Sequence, residues 1–111
     1  MVLIIREPAT VEQIAQMEQV FGIMIKLAVD VRRGILAGGG SLHADCEQVL
    51  LEDGSQQEDV WGADWYPSKQ EVTFEALINI RPRQQNYALE IQDPGLREQI
   101  ETIARRLLEV G

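Results

Sequence analysis

The chain has 111 residues, 45% of them hydrophobic and 25% charged, which are the proportions of one ordinary folded domain over residues 1–111 and not of a disordered or fibrous chain. Eighteen Asp and Glu against 10 Lys and Arg give a formal charge of −8. That field repels phosphate backbones and anionic lipid, so direct nucleic-acid binding and membrane-surface binding are not expected. The single Cys46 allows no internal disulfide, so the fold has to rest on its core, in a reducing cytoplasm.

Residues 2–5 form an apolar, β-branched run that suits a strand buried on both faces. Arg6, Glu7 and Pro8 end it, short of the roughly 7–15 apolar residues of a secretion signal. No apolar run approaches the roughly 20 residues of a membrane span. Thr10, with Gln13 three residues on, has the pattern of a capping box. It predicts a helix over residues 11–21, with Val11, Ile14, Ala15, Met17 and Phe21 on its apolar side and Gly22 as its left-handed terminator.

At Gly22 the period changes. Ile23, Ile25, Leu27, Val29 and Val31 alternate with Met24, Lys26, Ala28, Asp30 and Arg32, the mark of a strand with one buried face. Arg32-Arg33-Gly34 reads as a turn and Ile35-Leu36-Ala37 as the returning strand. Gly38-Gly39-Gly40 is a hinge or a place where backbone passes close to a neighbour. It is not a phosphate loop, because no Lys-Ser/Thr follows it. Residues 41–53 fit either period, and the reading adopted is a strand end near His43 and a short helix from about Cys46, with Asp45 and Gln48 as candidate caps.

Residues 60–66 and 71–81 read as a second hairpin across Pro67-Ser68-Lys69-Gln70. A four-residue loop sets Tyr66 opposite Glu71 and puts Trp61, Ala63 and Trp65 on one apolar face with Val72, Phe74, Ala76, Ile78 and Ile80. Asp93 as N-cap and Pro94 at the first helical position open a final helix, whose stripe is Leu96, Ile100, Ile103, Ala104, Leu107 and Leu108. The predicted order is β-α-β-β-(α)-β-β-α. This is an α+β domain with a mainly antiparallel sheet and helices packed on one face.

Three stretches carry a resemblance. They are residues 39–47 (Gly-Gly-Ser-Leu-His-Ala-Asp-Cys-Glu), residues 50–62 from Leu50 through Asp53-Gly54-Ser55 to Trp61-Gly62, and residues 74–82 from Phe74 through Leu77-Ile78-Asn79-Ile80 to Arg81-Pro82, with Asn86 beyond. On them the chain resembles, nearly end to end, a family of small uncharacterised bacterial proteins known only as a domain of unknown function. Gly40-Ser41 stands where the family has Gly-Glu, and Ala76 and the region near Ala88 stand where it has Ser. An essential carboxylate or hydroxyl is therefore not expected at those positions. The resemblance implies no activity, and it draws attention to His43, Asp45, Glu47, Trp61, Asn79, Arg81 and Asn86.

His43 is the only histidine and is the natural base or metal ligand, with Asp45 or Glu47 to orient it. On an extended strand His43, Asp45 and Glu47 would share one face and suit a hard cation such as magnesium. Arg81 offers a donor fork for a carboxylate or phosphate, and Asn79 offers both an acceptor and donors. Each residue also has a structural reading: His43 hydrogen-bonded to a carboxylate, Arg81 paired with Glu75 or Asp64, Asn79 closing a turn, the tryptophans anchoring the core. The reading that asks least of the sequence is a non-enzymatic interaction or regulatory module that closes its half-apolar sheet face by forming a homo-oligomer. The alternative is a small hydrolase or phosphoryl-transfer enzyme using His43 with Asp45 or Glu47 and Arg81. A nucleic-acid partner would have to use the scattered Arg32-Arg33, Arg81/Arg83 and Arg105-Arg106.

Overall fold

In the computed structural model, which describes residues 1–110, both halves of the capping box form. Thr10 Oγ1 accepts the Gln13 N–H at 3.1 Å, and Gln13 Oε1 accepts the Thr10 N–H at 2.9 Å. Helix α1 covers Val11–Glu18, shorter than the predicted 11–21. Its inward side is Met17, fully buried, with Ile14 beside it, whereas Val11 and Phe21 stay exposed. Gly22 is left-handed at φ +80° and donates to Glu18 O, so the chain reverses where the sequence period changes.

The five strands are β1 (Leu3–Ile5), β2 (Ile25–Asp30), β3 (Ile35–Gly38), β4 (Val60–Tyr66) and β5 (Glu71–Thr73). They lie in the order β1-β3-β2-β4-β5, and every neighbouring pair is antiparallel. The β2–β3 turn is held by Asp30, whose Oδ1 accepts the N–H groups of Arg32 and Arg33, each at 2.9 Å. The β4–β5 register is the expected one, Tyr66 opposite Glu71 and Asp64 opposite Thr73.

The α+β class and the antiparallel sheet stand, but the helices do not share one face. Ile25, Leu27, Val29, Leu36, Trp61, Ala63 and Trp65 point toward α1 and toward helix α3 (Pro94–Leu108), together with Met17, Ile100 and Leu107. Ala28, Ile35, Ala37 and Val60 point the other way, where Cys46 and Leu50 of helix α2 (His43–Glu52) cover them. β2 is therefore buried on both faces, where alternation with Lys26, Ala28 and Asp30 had suggested a solvated side. Small Ala28 and Ala37 let α2 sit close.

Helix α2 begins at His43 and not at Cys46, so the strand end predicted at His43 is absent. Its N-cap is Leu42, with no side-chain cap, in place of Asp45. The glycines before it are a close approach: Gly39 has φ +97°, and a Cβ there would lie 2.9 Å from Met1 O and 3.2 Å from Met17 Cα.

The predicted strand over 71–81 is also cut short. Beyond Thr73 the chain leaves β4 and pairs with its own continuation: Phe74 O accepts the Ile91 N–H, Glu75 faces Glu90, and Ala76 donates to Leu89 O. Leu77–Asn79 and Pro82–Gln84 are single 3-10 turns. Helix α3 is as predicted, with Asp93 Oδ1 accepting the Gly95 N–H at 2.9 Å, Pro94 in the first turn, and Ile100, Ile103, Ala104, Leu107 and Leu108 buried.

Candidate functional site

Helical geometry on α2 separates the three residues expected on one strand face. His43 and Glu47, four apart, lie on the same side of the helix, and Asp45 lies off it. His43 reaches β4: Nε2 is 2.7 Å from Asp64 Oδ1 and 3.2 Å from Ala63 O. Thr73 Oγ1 donates to the other oxygen, Asp64 Oδ2, at 3.4 Å. The carboxylate beside the imidazole is thus Asp64 and neither Asp45 nor Glu47. Asp45 instead accepts from the Ser41 hydroxyl at 3.4 Å.

One turn further along α2, Glu47 meets Arg81. Arg81 Nη2 donates to Glu47 Oε2 at 3.2 Å and to Val60 O, Nε donates to Ile78 O at 2.9 Å, and Nη1 donates to Gln57 O at 2.7 Å. The guanidinium also lies 4.5 Å over the Trp61 ring. Its partner is therefore not Glu75 or Asp64, and its donor fork is spent on the protein itself. Burial pushes the Glu47 carboxyl above its ordinary range, opposed by Arg81 and by a bond from Gln57. Burial also pulls Arg81 below its own, opposed by Glu47. Each charge is held chiefly by the other.

Between these two pairs, Asn79 is fully buried. Its Oδ1 accepts the Gly62 N–H at 2.8 Å, and its Nδ2 donates to Gly62 O at 3.0 Å, with Phe74 O and Leu89 O each at 3.2 Å. Gly62 must lack a side chain, because a Cβ would collide with Ala76 Cβ. Asn86 closes the same loop: Nδ2 donates to Asn79 O at 2.7 Å and Oδ1 accepts the Gln92 N–H at 2.8 Å. The motif residues of 74–92 thus serve first to fold that loop onto β4.

The chain belongs to the family described as Protein of unknown function (DUF5674), which it matches over residues 3–107. No curated protein and no solved structure matches it. In this DUF5674 chain the stretches around 43–47, 60–62 and 74–86 meet on one side of β4.

Beside Arg81 the DUF5674 fold leaves an open cleft of about 710 Å³, walled by Glu47, Glu58, Ile78, Ile80, Arg83 and Gln84. Among the described residues no group of three or more His, Cys, Asp or Glu is placed to hold a metal ion. The cation site suggested by the strand reading of 43–47 does not form, because those residues are wound into a helix. Most of the clustered arginines are drawn into the fold: Arg32 pairs with Asp59, Arg33 with Asp53, and Arg105 with Glu101 and Glu109, while Arg106 donates to Gly34 O and Arg83 stays exposed. No helix among the described residues is long and apolar enough to cross a membrane.

Reading the sequence alone missed the role of Asp64. The Cys46–Leu50 apolar spacing on a helix begun three residues earlier would have put His43 and Glu47 on one side. Nothing local could have named their partners on β4 and at Arg81.

Proposed function

We propose that this chain is a non-enzymatic interaction or regulatory module that self-associates, acting in a reducing cytosol. The observation that carries this is the loop over residues 77–89. It holds Leu77 77%, Tyr87 66%, Ile80 46% and Leu89 42% exposed, while the buried amides of Asn79 and Asn86 and the Arg81–Asn86 backbone pair fix its two limbs. Apolar side chains on a rigid frame lose little conformational entropy when covered, which is what a binding surface needs. The sheet face from which self-association was first expected lies under α2, so this loop supplies the surface in its place.

The formal charge of −8 makes two copies repel, so added salt should favour the pair by screening. Sedimentation equilibrium over a wide concentration range, at low and high salt, tests the reading. The expected result is a larger species that grows with concentration and salt and is lost in the double variant Leu77→Ser, Tyr87→Ser. A strict monomer at the highest concentration would remove the proposal.

The second reading is a small hydrolase or phosphoryl-transfer enzyme using His43, Asp45 or Glu47, and Arg81. The observation in its favour is that α2 sets His43 and Glu47 one turn apart on one side, with Arg81 beside Glu47. Against it, the Arg81 donors are already bound to Glu47, Gln57, Val60 and Ile78. The variants His43→Ala and Arg81→Ala, assayed on activated esters and phosphate esters, test it. Equal turnover by these variants and the parent would dismiss it.

A further inference from the structure

We propose that His43 is a proton-accepting residue acting through Nδ1, that Asp64 is the residue positioning it, and that the pair serves a small protic molecule, water or an alcohol. This rests on the second reading above, that of a small hydrolase or phosphoryl-transfer enzyme, and does not depend on self-association. Both groups near His43 Nε2, Asp64 Oδ1 at 2.7 Å and Ala63 O at 3.2 Å, are acceptors. Nε2 must therefore carry a hydrogen whether the ring is neutral or charged, and the neutral ring keeps its one lone pair on Nδ1.

Nδ1 has no hydrogen-bond partner among the described residues, yet it is not among the buried, unpartnered polar atoms, so it reaches solvent. The side chains are 12% exposed for His43 and 11% for Asp64, so Nδ1 is the edge of the pair that meets solvent. Thr73 donates to Asp64 Oδ2 at 3.4 Å, which holds the carboxylate in line. Lys26 stands directly across from Asp64 on β2.

The step is a proton transfer. The O–H bond of the bound molecule breaks, its proton goes to Nδ1, and the electron pair stays on oxygen. Nε2 keeps its hydrogen, and the imidazolium so formed faces the Asp64 carboxylate, which stabilises it. A carboxylate behind a base fixes both its tautomer and its aim.

Because His43 is the only histidine, its ring can be read without interference. Long-range proton–nitrogen correlation on ¹⁵N-labelled protein gives the tautomer, and diethyl pyrocarbonate, which acylates an unprotonated imidazole nitrogen, gives the reactivity. The expected outcome is the Nε2–H tautomer, with acylation at Nδ1 at least as fast as for N-acetylhistidine amide at the same pH. Asp64→Asn should slow acylation several-fold, because the ring loses the carboxylate that fixes Nδ1 as the free nitrogen and faces the charge formed there. A neutral ring protonated on Nδ1, acylation of the parent slower than the free compound, or a folded Asp64→Asn variant reacting at the parental rate would each overturn the proposal. If Asp64→Asn does not fold, the tautomer and rate of the parent protein decide the matter alone.

Discussion

The Asn79 carboxamide replaces a strand beside Gly62. Its Oδ1 accepts the Gly62 N–H at 2.8 Å and its Nδ2 donates to the Gly62 carbonyl at 3.0 Å, the two bonds that a neighbouring peptide unit would make. A side chain thus completes β4 where β5 has turned away. Asn79→Ala strands both the Gly62 N–H and the Gly62 carbonyl in a fully buried site, while Phe74 O and Leu89 O keep the N–H groups of Ile91 and Ala76. A stranded buried group costs about 1–3 kcal/mol, so a loss of about 3–4 kcal/mol is expected by denaturant unfolding. Asn79→Asp keeps the acceptor, removes the donors and buries a charge, so it should be no better tolerated. A loss under about 0.5 kcal/mol, the range of ordinary surface substitutions, would show that the amide is dispensable.

Arg81 ties α2, β4 and the 3-10 turns Gln57–Asp59 and Leu77–Asn79 together through Glu47, Val60, Gln57 and Ile78. Lysine cannot imitate this, because it lacks the planar fork that reaches several acceptors at once and stacks on Trp61. Arg81→Lys should therefore destabilise nearly as much as Arg81→Ala, by about 2–4 kcal/mol, since each leaves Glu47 without its partner in a largely buried place. Glu47→Gln, which keeps an acceptor for Arg81, should cost less than either. Chemical unfolding of the three variants gives the order, and full rescue by lysine would mean that the charge alone matters.

What was legible in the sequence was local or strictly periodic. Thr10 with Gln13 and Asp93 with Pro94 announce their helices because a cap and its partner lie within one turn. Trp61, Ala63 and Trp65 share a face because strands alternate. Residues 41–53 were not legible, since α2 starts at an uncapped Leu42 and its apolar spacing fits either period. The end of β5 was hidden because Val72 to Ile80 keep alternating after the backbone has left the sheet. Asn79 causes that departure through contacts 17 residues away. The residues of the candidate site were visible as residue types, whereas the pairs His43–Asp64 and Glu47–Arg81 needed the packing of α2 on β4.

Cys46, on the inward side of α2, is fully buried, with its thiol donating to Lys26 O at 3.5 Å. Burial pushes the thiol up to about 11 from an ordinary 9.0. The thiolate fraction at neutral pH is then about a hundredfold below that of a free cysteine. Iodoacetamide should accordingly label the folded protein at least about a hundredfold more slowly than the urea-unfolded chain. Labelling of the native protein at the unfolded rate would contradict a packing role.

Asp53, just past α2, is held by two arginines: Arg6 Nη2 at 2.7 Å from Oδ1 and Arg33 Nη2 at 2.7 Å from Oδ2. Hydrogen bonds from Arg6 and then Arg33 pull its carboxyl below the ordinary range. Because the folded value lies below the unfolded one, its contribution to stability is complete above the ordinary aspartate value of about 3.9. That contribution fades as pH falls through the lower folded value. Thermal melts of the parent and of Asp53→Asn should therefore differ most near neutral pH and converge as the solution is acidified below about pH 4. The gap at neutral pH should also narrow in high salt, since the three side chains are partly exposed and their attraction is screened. A gap that stays constant into strong acid would mean that Asp53 contributes by packing and not by its charge.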